Sequence, residues 1–269
     1  MFDIDLSSYY YGHKLQNSEI VDKIIIKDIE IMPEVRGYEA VCHLNSNINI
    51  KYPDYTFHLK AAGVGSSENK RVAIYKSISE ALERWAYSEL SLSSTAGLAA
   101  FPSIYGKYSK QKSKAELIER YCLNLLNSEQ LNLTELKSCI YTSKINEYNF
   151  VLVKSSCQSA YGFSCHVKLK SAIESASIEM FRNLKTIEKY KNLKSENLQE
   201  RRLMYFASEG KEYILNKIKA GLHSTCHVDL PKIRTLELDG PWSRYSRVFQ
   251  SQFKKNISLN NKDLEYFYF

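Results

Sequence analysis

The strongest constraint on this chain is a short phrase that it contains twice. Glu80-Ala-Leu-Glu83-Arg84-Trp85 returns 36 residues later as Glu116-Leu-Ile-Glu119-Arg120-Tyr121. Spacings of three and four residues place all three charged side chains on one face of an α-helix. Ile74, Ile78, Ala81, Leu82 and Trp85 fall opposite that face in the first copy, and Leu117, Ile118, Tyr121 and Leu125 in the second. Each helix is therefore expected to anchor an apolar stripe and present two carboxylates and a guanidinium on its other side. Taken singly, a Glu-x-x-x-Arg pair is an ordinary i,i+4 ion pair worth a few tenths of a kcal/mol. Taken together, four carboxylates could ligate hard divalent cations such as magnesium. The arginines would then be placed to hold phosphate oxygens.

The 269 residues allow one large domain or two small ones. With 44% hydrophobic and 25% charged residues the composition is that of a folded globular protein. Twenty tyrosines favour half-buried strands and point to substantial sheet. The net charge of +7 is densest at Lys107-Tyr-Ser-Lys110-Gln-Lys112-Ser-Lys114, read as a solvated approach to the second helix. No helix-turn-helix, zinc-finger or aromatic-glycine RNA pattern accompanies it. The N-terminal stretch does not read as a signal peptide, and no run is long enough to span a membrane. Six cysteines without framework spacing read as reduced thiols of a cytoplasmic protein. His223-Ser-Thr-Cys226-His227 carries zinc-type ligands but lacks the two-pair spacing of zinc sites.

Alternating isoleucines predict a strand over residues 20–32, ended by Pro33. Further strands are expected at Tyr38–Leu44 and Tyr55–Ala61. Ala62-Gly-Val-Gly-Ser66-Ser67 reads as a tight glycine turn whose serines cap the first helix, Asn69–Leu90. Ala96–Pro102 reads as a close-packed loop or short strand, before a second helix from about Lys110 to Asn127. A strand pair, Cys139–Thr142 with Phe150–Ser155, precedes a second glycine-led approach at Gly162–Leu169. A third helix, Ser171–Tyr190, a charged helix, Leu198–Ala220, and a strand, Ile233–Leu238, complete the pattern. Long helices and strands in this order predict an α+β (mixed α/β) fold.

Ala61-Ala-Gly-Val-Gly-Ser-Ser, Ala73 and Ser77-Ile-Ser-Glu-Ala-Leu-Glu-Arg-Trp together resemble the first motif of YcaO-like proteins. Ser94-Thr-Ala-Gly-Leu-Ala-Ala-Phe-Pro, continued by Ala115-Glu-Leu-Ile-Glu-Arg-Tyr, resembles the second. Tyr161-Gly-Phe-Ser-Cys-His166 with Ala172-Ile-Glu-Ser-Ala-Ser-Ile-Glu179-Met-Phe-Arg-Asn183 is a fainter third. The resemblance implies sheets packed with several long helices in a single domain, 1–269, with its motif-bearing core at about 58–184. It also implies ATP and magnesium as cofactors. Glu80, Glu83, Glu116 and Glu119 become the expected metal ligands, and Lys76, Arg84, Arg120, Glu179 and Asn183 the expected nucleotide contacts.

The implied activity is phosphorylation of a backbone amide oxygen in a ribosomally made precursor peptide, giving an azoline, thioamide or amidine. A separate peptide-recognition protein is the implied partner, with a homodimer as the assembly considered. The chain departs from the family pattern at Val64, where lysine is common, and at Lys76, where serine is expected. It departs again at Tyr121 in place of aspartate and at Asn183 in place of glutamine. Lys76 is placed to supply the cation missing from position 64. The alternatives are a non-catalytic YcaO-like scaffold subunit and a basic peptide- or nucleic-acid-binding module.

Overall fold

The computed structural model describes residues 15, 18–45, 48, 62–90, 96–101, 106–156, 160–190, 204–205, 207–208, 210–226 and 228–254. The expected strand at Tyr55–Ala61, most of the charged helix before residue 210, His227 and the aromatic tail lie outside these residues. The described elements are strands β1 (Val21–Met32), β2 (Val35–Leu44) and β3 (Ala62–Ser67), then helix α1 (Lys70–Leu90). Strand β4 (Gly97–Phe101) and helix α2 (Gly106–Asn127) follow. Next come β5 (Thr134–Lys137), β6 (Ile140–Ile145), β7 (Tyr148–Lys154), β8 (Tyr161–His166) and helix α3 (Leu169–Tyr190). Helix α4 (Lys211–His223), β9 (Ile233–Leu238), a 3-10 turn (Pro241–Arg244) and β10 (Arg247–Phe253) close the order. The fold is mixed α/β, as expected, with three antiparallel sheets ordered β1-β2-β3, β4-β10-β9 and β5-β6-β7-β8.

The chain divides into two compact units, residues 1–114 with 235–251, and residues 115–234 with 252–269. The first has its own core, in which Ile78, Leu82 and Trp85 of α1 pack with Leu98, Trp242 and Val248. Trp85 and Trp242 meet edge to face with ring centroids 6.0 Å apart. The second unit buries Ile118 and Leu126 with Phe150, Leu152, Ile214 and Ile218. On the other side of β7, Val151 and Val153 pack on Ala172 and Ala176 of α3. A strand covered on both faces has no polar side to alternate, hence the unbroken Phe150-Val-Leu-Val153 run.

Two segments correct the sequence reading. Ala62–Ser67 is a strand, paired with β2 through Val41↔Val64 and its neighbours, and not a turn. Its glycines have no positive φ; they are there because the backbone lies directly on α1. A Cβ on Gly63 would stand 2.0 Å from the Ser77 carbonyl oxygen, and one on Gly65 2.2 Å from that of Ala73. Nor do the serines cap the helix: Asn69 does, its Oδ1 accepting the Arg71 amide at 2.9 Å. The second glycine-led approach is likewise a strand, β8, on which a Cβ at Gly162 would stand 2.0 Å from the Ala176 carbonyl oxygen. Strands β5 and β10 were not foreseen.

The two corrections are one. Gly63, Ser77 and Glu80 correspond to Gly162, Ala176 and Glu179, each 99 residues on. The corresponding hairpins, β1-β2 and β6-β7, each turn over two residues, with Glu34 (φ 65°) and Asn146 (φ 52°) in left-handed conformation. Each hairpin is followed by a glycine-bearing third strand and a helix packed on it. The chain thus contains a β-β-β-α unit twice.

Backbone cannot retreat as a flexible side chain can, so Gly162→Ala should destabilise the chain by about 2–3 kcal/mol or more. Gly221 offers the comparison, because its Cβ would meet the Leu133 side chain at 2.9 Å and backbone only at 3.1 Å, the Leu131 carbonyl oxygen. Gly221→Ala, on a helix that prefers alanine by about 1 kcal/mol, should come out near neutral. Urea midpoints measure both, and equal midpoints would contradict the close-packing account.

Candidate functional site

The helix-borne glutamates serve the edges of the sheets. β3, β4 and β8 each have a hydrogen-bonded neighbour on one side only among the described residues. An amide on the open side of such a strand needs another acceptor. In the first unit Val64 of β3 donates its N–H to Glu80 Oε2 at 2.7 Å. Ala100 of β4 donates to Glu83 Oε1 at 2.9 Å. In the second unit Phe163 of β8 donates to Glu179 Oε2 at 2.8 Å, and the Cys165 amide bonds the Glu119 carboxyl. Val64–Glu80 and Phe163–Glu179 are corresponding bonds of the duplicated unit, each spanning 16 residues. Hydrogen bonds to a charged acceptor contribute roughly 1.5–3 kcal/mol, so the carboxylates of Glu80, Glu83 and Glu179 hold strand to helix.

In the first unit Arg84 forms an i,i+4 ion pair with Glu80. Lys112 Nζ stands 2.7 Å from Glu83 Oε1, the same oxygen that receives the Ala100 amide. Lys112 is therefore not part of a merely solvated approach, and nothing in the sequence pattern marks the pairing. Lys76 Nζ donates to the Ser66 carbonyl oxygen at 3.3 Å. The Ser66 hydroxyl is buried with no hydrogen-bond partner among the described residues. Among the described residues, two carboxylates with three basic side chains leave this group net positive.

The second unit reverses that balance. Arg120 pairs with Glu116 at 2.7 Å, while Glu116 and Glu179 both repel charge on Glu119. The Glu119 residue is part-buried, and desolvation first, then those two neighbours, push its carboxyl well above the ordinary carboxylate range. Burial likewise raises the thiols of Cys122 and Cys165 beside it, leaving them neutral. Asn183 is buried, and its amide nitrogen donates to the Tyr161 carbonyl oxygen at 2.8 Å. It stands where Arg84 stands in the first copy.

The structure thus brings Glu80, Glu83 and Arg84 together in one unit, and Glu116, Glu119, Arg120 and Glu179 together in the other. No three His, Cys, Asp or Glu side chains among the described residues are grouped to hold a metal ion, His223 and Cys226 included. Magnesium in nucleotide sites takes one or two carboxylates, with phosphate and water completing its shell. Two carboxylates one helical turn apart, Glu80 and Glu83, with Arg84 and Lys112 bonded to them, are of the chemistry that suits such an ion arriving with a polyphosphate.

Because the folded chain holds the Glu119 proton above the ordinary value near 4.5, its stability should be highest below that value. It should fall as pH rises towards the raised one. Glu119→Gln keeps an acceptor for the Cys165 amide and has no charge to bury. Its stability relative to the parent should grow by up to ~1.4 kcal/mol per pH unit across that window. Urea titrations of both proteins at about pH 5 and about pH 8 measure this, and a constant difference would contradict the raised Glu119 carboxyl.

No protein-family model and no curated protein sequence matches the chain. Solved structures do. The chain is similar to YcaO from Methanopyrus kandleri, a structure bound with AMPPCP and Mg2+, at 12% identity and a TM-score of 0.55. That match covers 93% of this chain and 90% of the other. Chains of the E. coli microcin synthetase McbBCD complex match at 9% identity and a TM-score of 0.47, over 85% of this chain and 86% of that one. With pro-MccB17 bound, that complex matches at 10% and 0.49, over 84% and 86%. Sheets with glutamate-bearing helices, matched along nearly the whole length by the M. kandleri structure, establish that this chain has a YcaO-like fold.

Proposed function

We propose that this chain is a YcaO-like peptide-modifying protein that binds magnesium-ATP and activates a backbone amide of a ribosomally made precursor peptide. The observation that carries the reading is the net positive group around Glu80 and Glu83, set on a fold similar to one solved with a nucleotide analogue and magnesium. Glu80, Glu83, Glu116 and Glu119 are the proposed metal ligands. Lys76, Arg84, Arg120, Glu179 and Asn183 are the proposed nucleotide contacts, with Glu179 and Asn183 acting through the strand β8 that they hold. In this reading residues 1–269 act as one domain in the cytoplasm, with a separate protein recognising the peptide and a homodimer as a possible assembly.

Bound ATP would supply the phosphoryl group, and magnesium would offset its charge. A cysteine, serine or threonine side chain of the peptide would lose its proton and add to a neighbouring carbonyl, and ATP would supply the phosphoryl group that carries the carbonyl oxygen away. Loss of phosphate, with the amide proton, then gives the ring. Arg84 and Lys76 would steady the phosphates, and no nucleophile from this chain is required. One observation favours a second reading, a non-catalytic scaffold subunit. Glu80 and Glu83 are already satisfied by strand amides and basic side chains, an arrangement that stands without metal.

Glu83→Gln separates the two. Glutamine still accepts the Ala100 amide and keeps the helix preference, so the fold should lose no more than about 1 kcal/mol. It offers a hard cation no charge. Turnover should fall by at least about 100-fold, roughly 2.7 kcal/mol of barrier. Phosphate release and peptide mass are followed with the cognate peptide and partner present. Lys76→Ala should weaken magnesium-ATP binding in calorimetry without unfolding the chain. A parent protein that neither binds magnesium-ATP nor changes peptide mass would leave the scaffold reading in place.

A further inference from the structure

Glu83 and Lys112 differ in how firmly each is held. The Glu83 side chain is 13% exposed and fixed by the Ala100 amide, whereas Lys112 is 47% exposed. Lys112 reaches Glu83 from the following helix, α2, with its ammonium 5.9 Å from the Phe101 ring centroid. A lysine on a flexible four-carbon stem leaves its partner cheaply, and a carboxylate pinned to a strand edge does not. The other basic groups are placed differently: Lys76 bonds a backbone carbonyl, and Arg84 serves Glu80.

We propose that Lys112 is the resident cation of Glu83: magnesium must displace it, and the displaced ammonium then becomes a counter-ion for the phosphates that arrive with the metal. The proposal rests on the reading that magnesium-ATP binds at Glu83. It assigns to Lys112 two effects of opposite sign. Competing with bare metal, the lysine lowers metal affinity; pairing with phosphate, it raises the affinity for the metal-nucleotide complex. Glu83 keeps its amide bond throughout, so β4 need not move.

The test compares the parent chain with Lys112→Met, Lys112→Arg and Lys219→Met, the last an exposed lysine on α4. Mn2+ binding is followed by electron paramagnetic resonance, and the magnesium complex of a non-hydrolysable ATP analogue by calorimetry. Lys112→Met should bind Mn2+ about two- to fivefold more tightly, the range that an exposed ion pair spans. It should bind the magnesium-analogue complex more weakly by a similar factor. Lys112→Arg should stay near the parent in both, and Lys219→Met should change neither. In a Glu83→Gln background the Mn2+ effect of Lys112→Met should vanish. Changes of the same sign in both titrations, or none in either, would overturn the proposal. If the parent chain binds Mn2+ but no nucleotide analogue, the magnesium-ATP reading fails and the counter-ion role fails with it. If it binds both and Lys112→Met binds as the parent does, only the proposal for Lys112 fails.

Discussion

A strand at the rim of a sheet leaves part of its amide row pointing away from its neighbour, and each such amide must find an acceptor. This chain answers that demand with glutamates sent from helices. Glu80 and Glu83 serve β3 and β4, and Glu179 and Glu119 serve β8. Much else follows from that choice. The helices must lie close to the strands, so glycine is needed at 63 and 162 and small residues at 73, 77, 172 and 176. A carboxylate brought this far inward also needs a counter-charge or a proton. Arg84, Arg120 and Lys112 supply the charge, and at Glu119 burial favours the proton.

The duplicated β-β-β-α unit makes the same point with different side chains. Strand, glycine and glutamate are retained between copies because backbone geometry fixes them. The position one turn beyond the glutamate is not retained. Arg84 in the first copy faces the Glu80 carboxylate, whereas Asn183 in the second satisfies a backbone carbonyl inside the fold. In the first copy a guanidinium stays with the strand-edge carboxylate, and in the second an amide is committed to the interior of the fold.

The helices and the mixed class were legible because amphipathic periodicity is local, β1 because its isoleucines recur, and β2 because Tyr38, Ala40, Cys42 and Leu44 fall at every second position. The phrase repeated 36 residues apart was visible, but it is not the repeat of the fold. The structural repeat, 99 residues apart, keeps mainly Gly63/Gly162, Ala73/Ala172 and Glu80/Glu179. Those are positions of close approach and edge capping, too sparse to register as periodicity. The glycines were misread because Gly-x-Gly signals a turn when only local preference is weighed, and the helix that needs their missing side chains follows later in the chain. Strand β10 was hidden for a similar reason: Arg247-Val-Phe-Gln-Ser-Gln-Phe253 lacks strict alternation, and its partner β4 lies far back in the sequence. Nor can local pattern show that Lys112 lands on Glu83, 29 residues away.

An edge-capping carboxylate and a metal-binding carboxylate make different demands of the same two oxygens. The amide needs one lone pair and tolerates a neutral acceptor; a hard cation needs negative charge and oxygen in its shell. Glu83 meets both if its amide and its cation approach by different lone pairs, as the Ala100 amide and the Lys112 ammonium already do on one oxygen. Building a cation site on such a carboxylate costs the fold little, because the side chain is ordered before the ion arrives. That also explains why intact Glu-x-x-Glu-Arg phrases do not by themselves demonstrate catalysis. The strand edges would retain the glutamates, and the glutamates would retain the basic partners, in a chain that had ceased to turn over. What the strand edges do not require is the charge on Glu83 beyond its hydrogen bond, and a lysine that can leave.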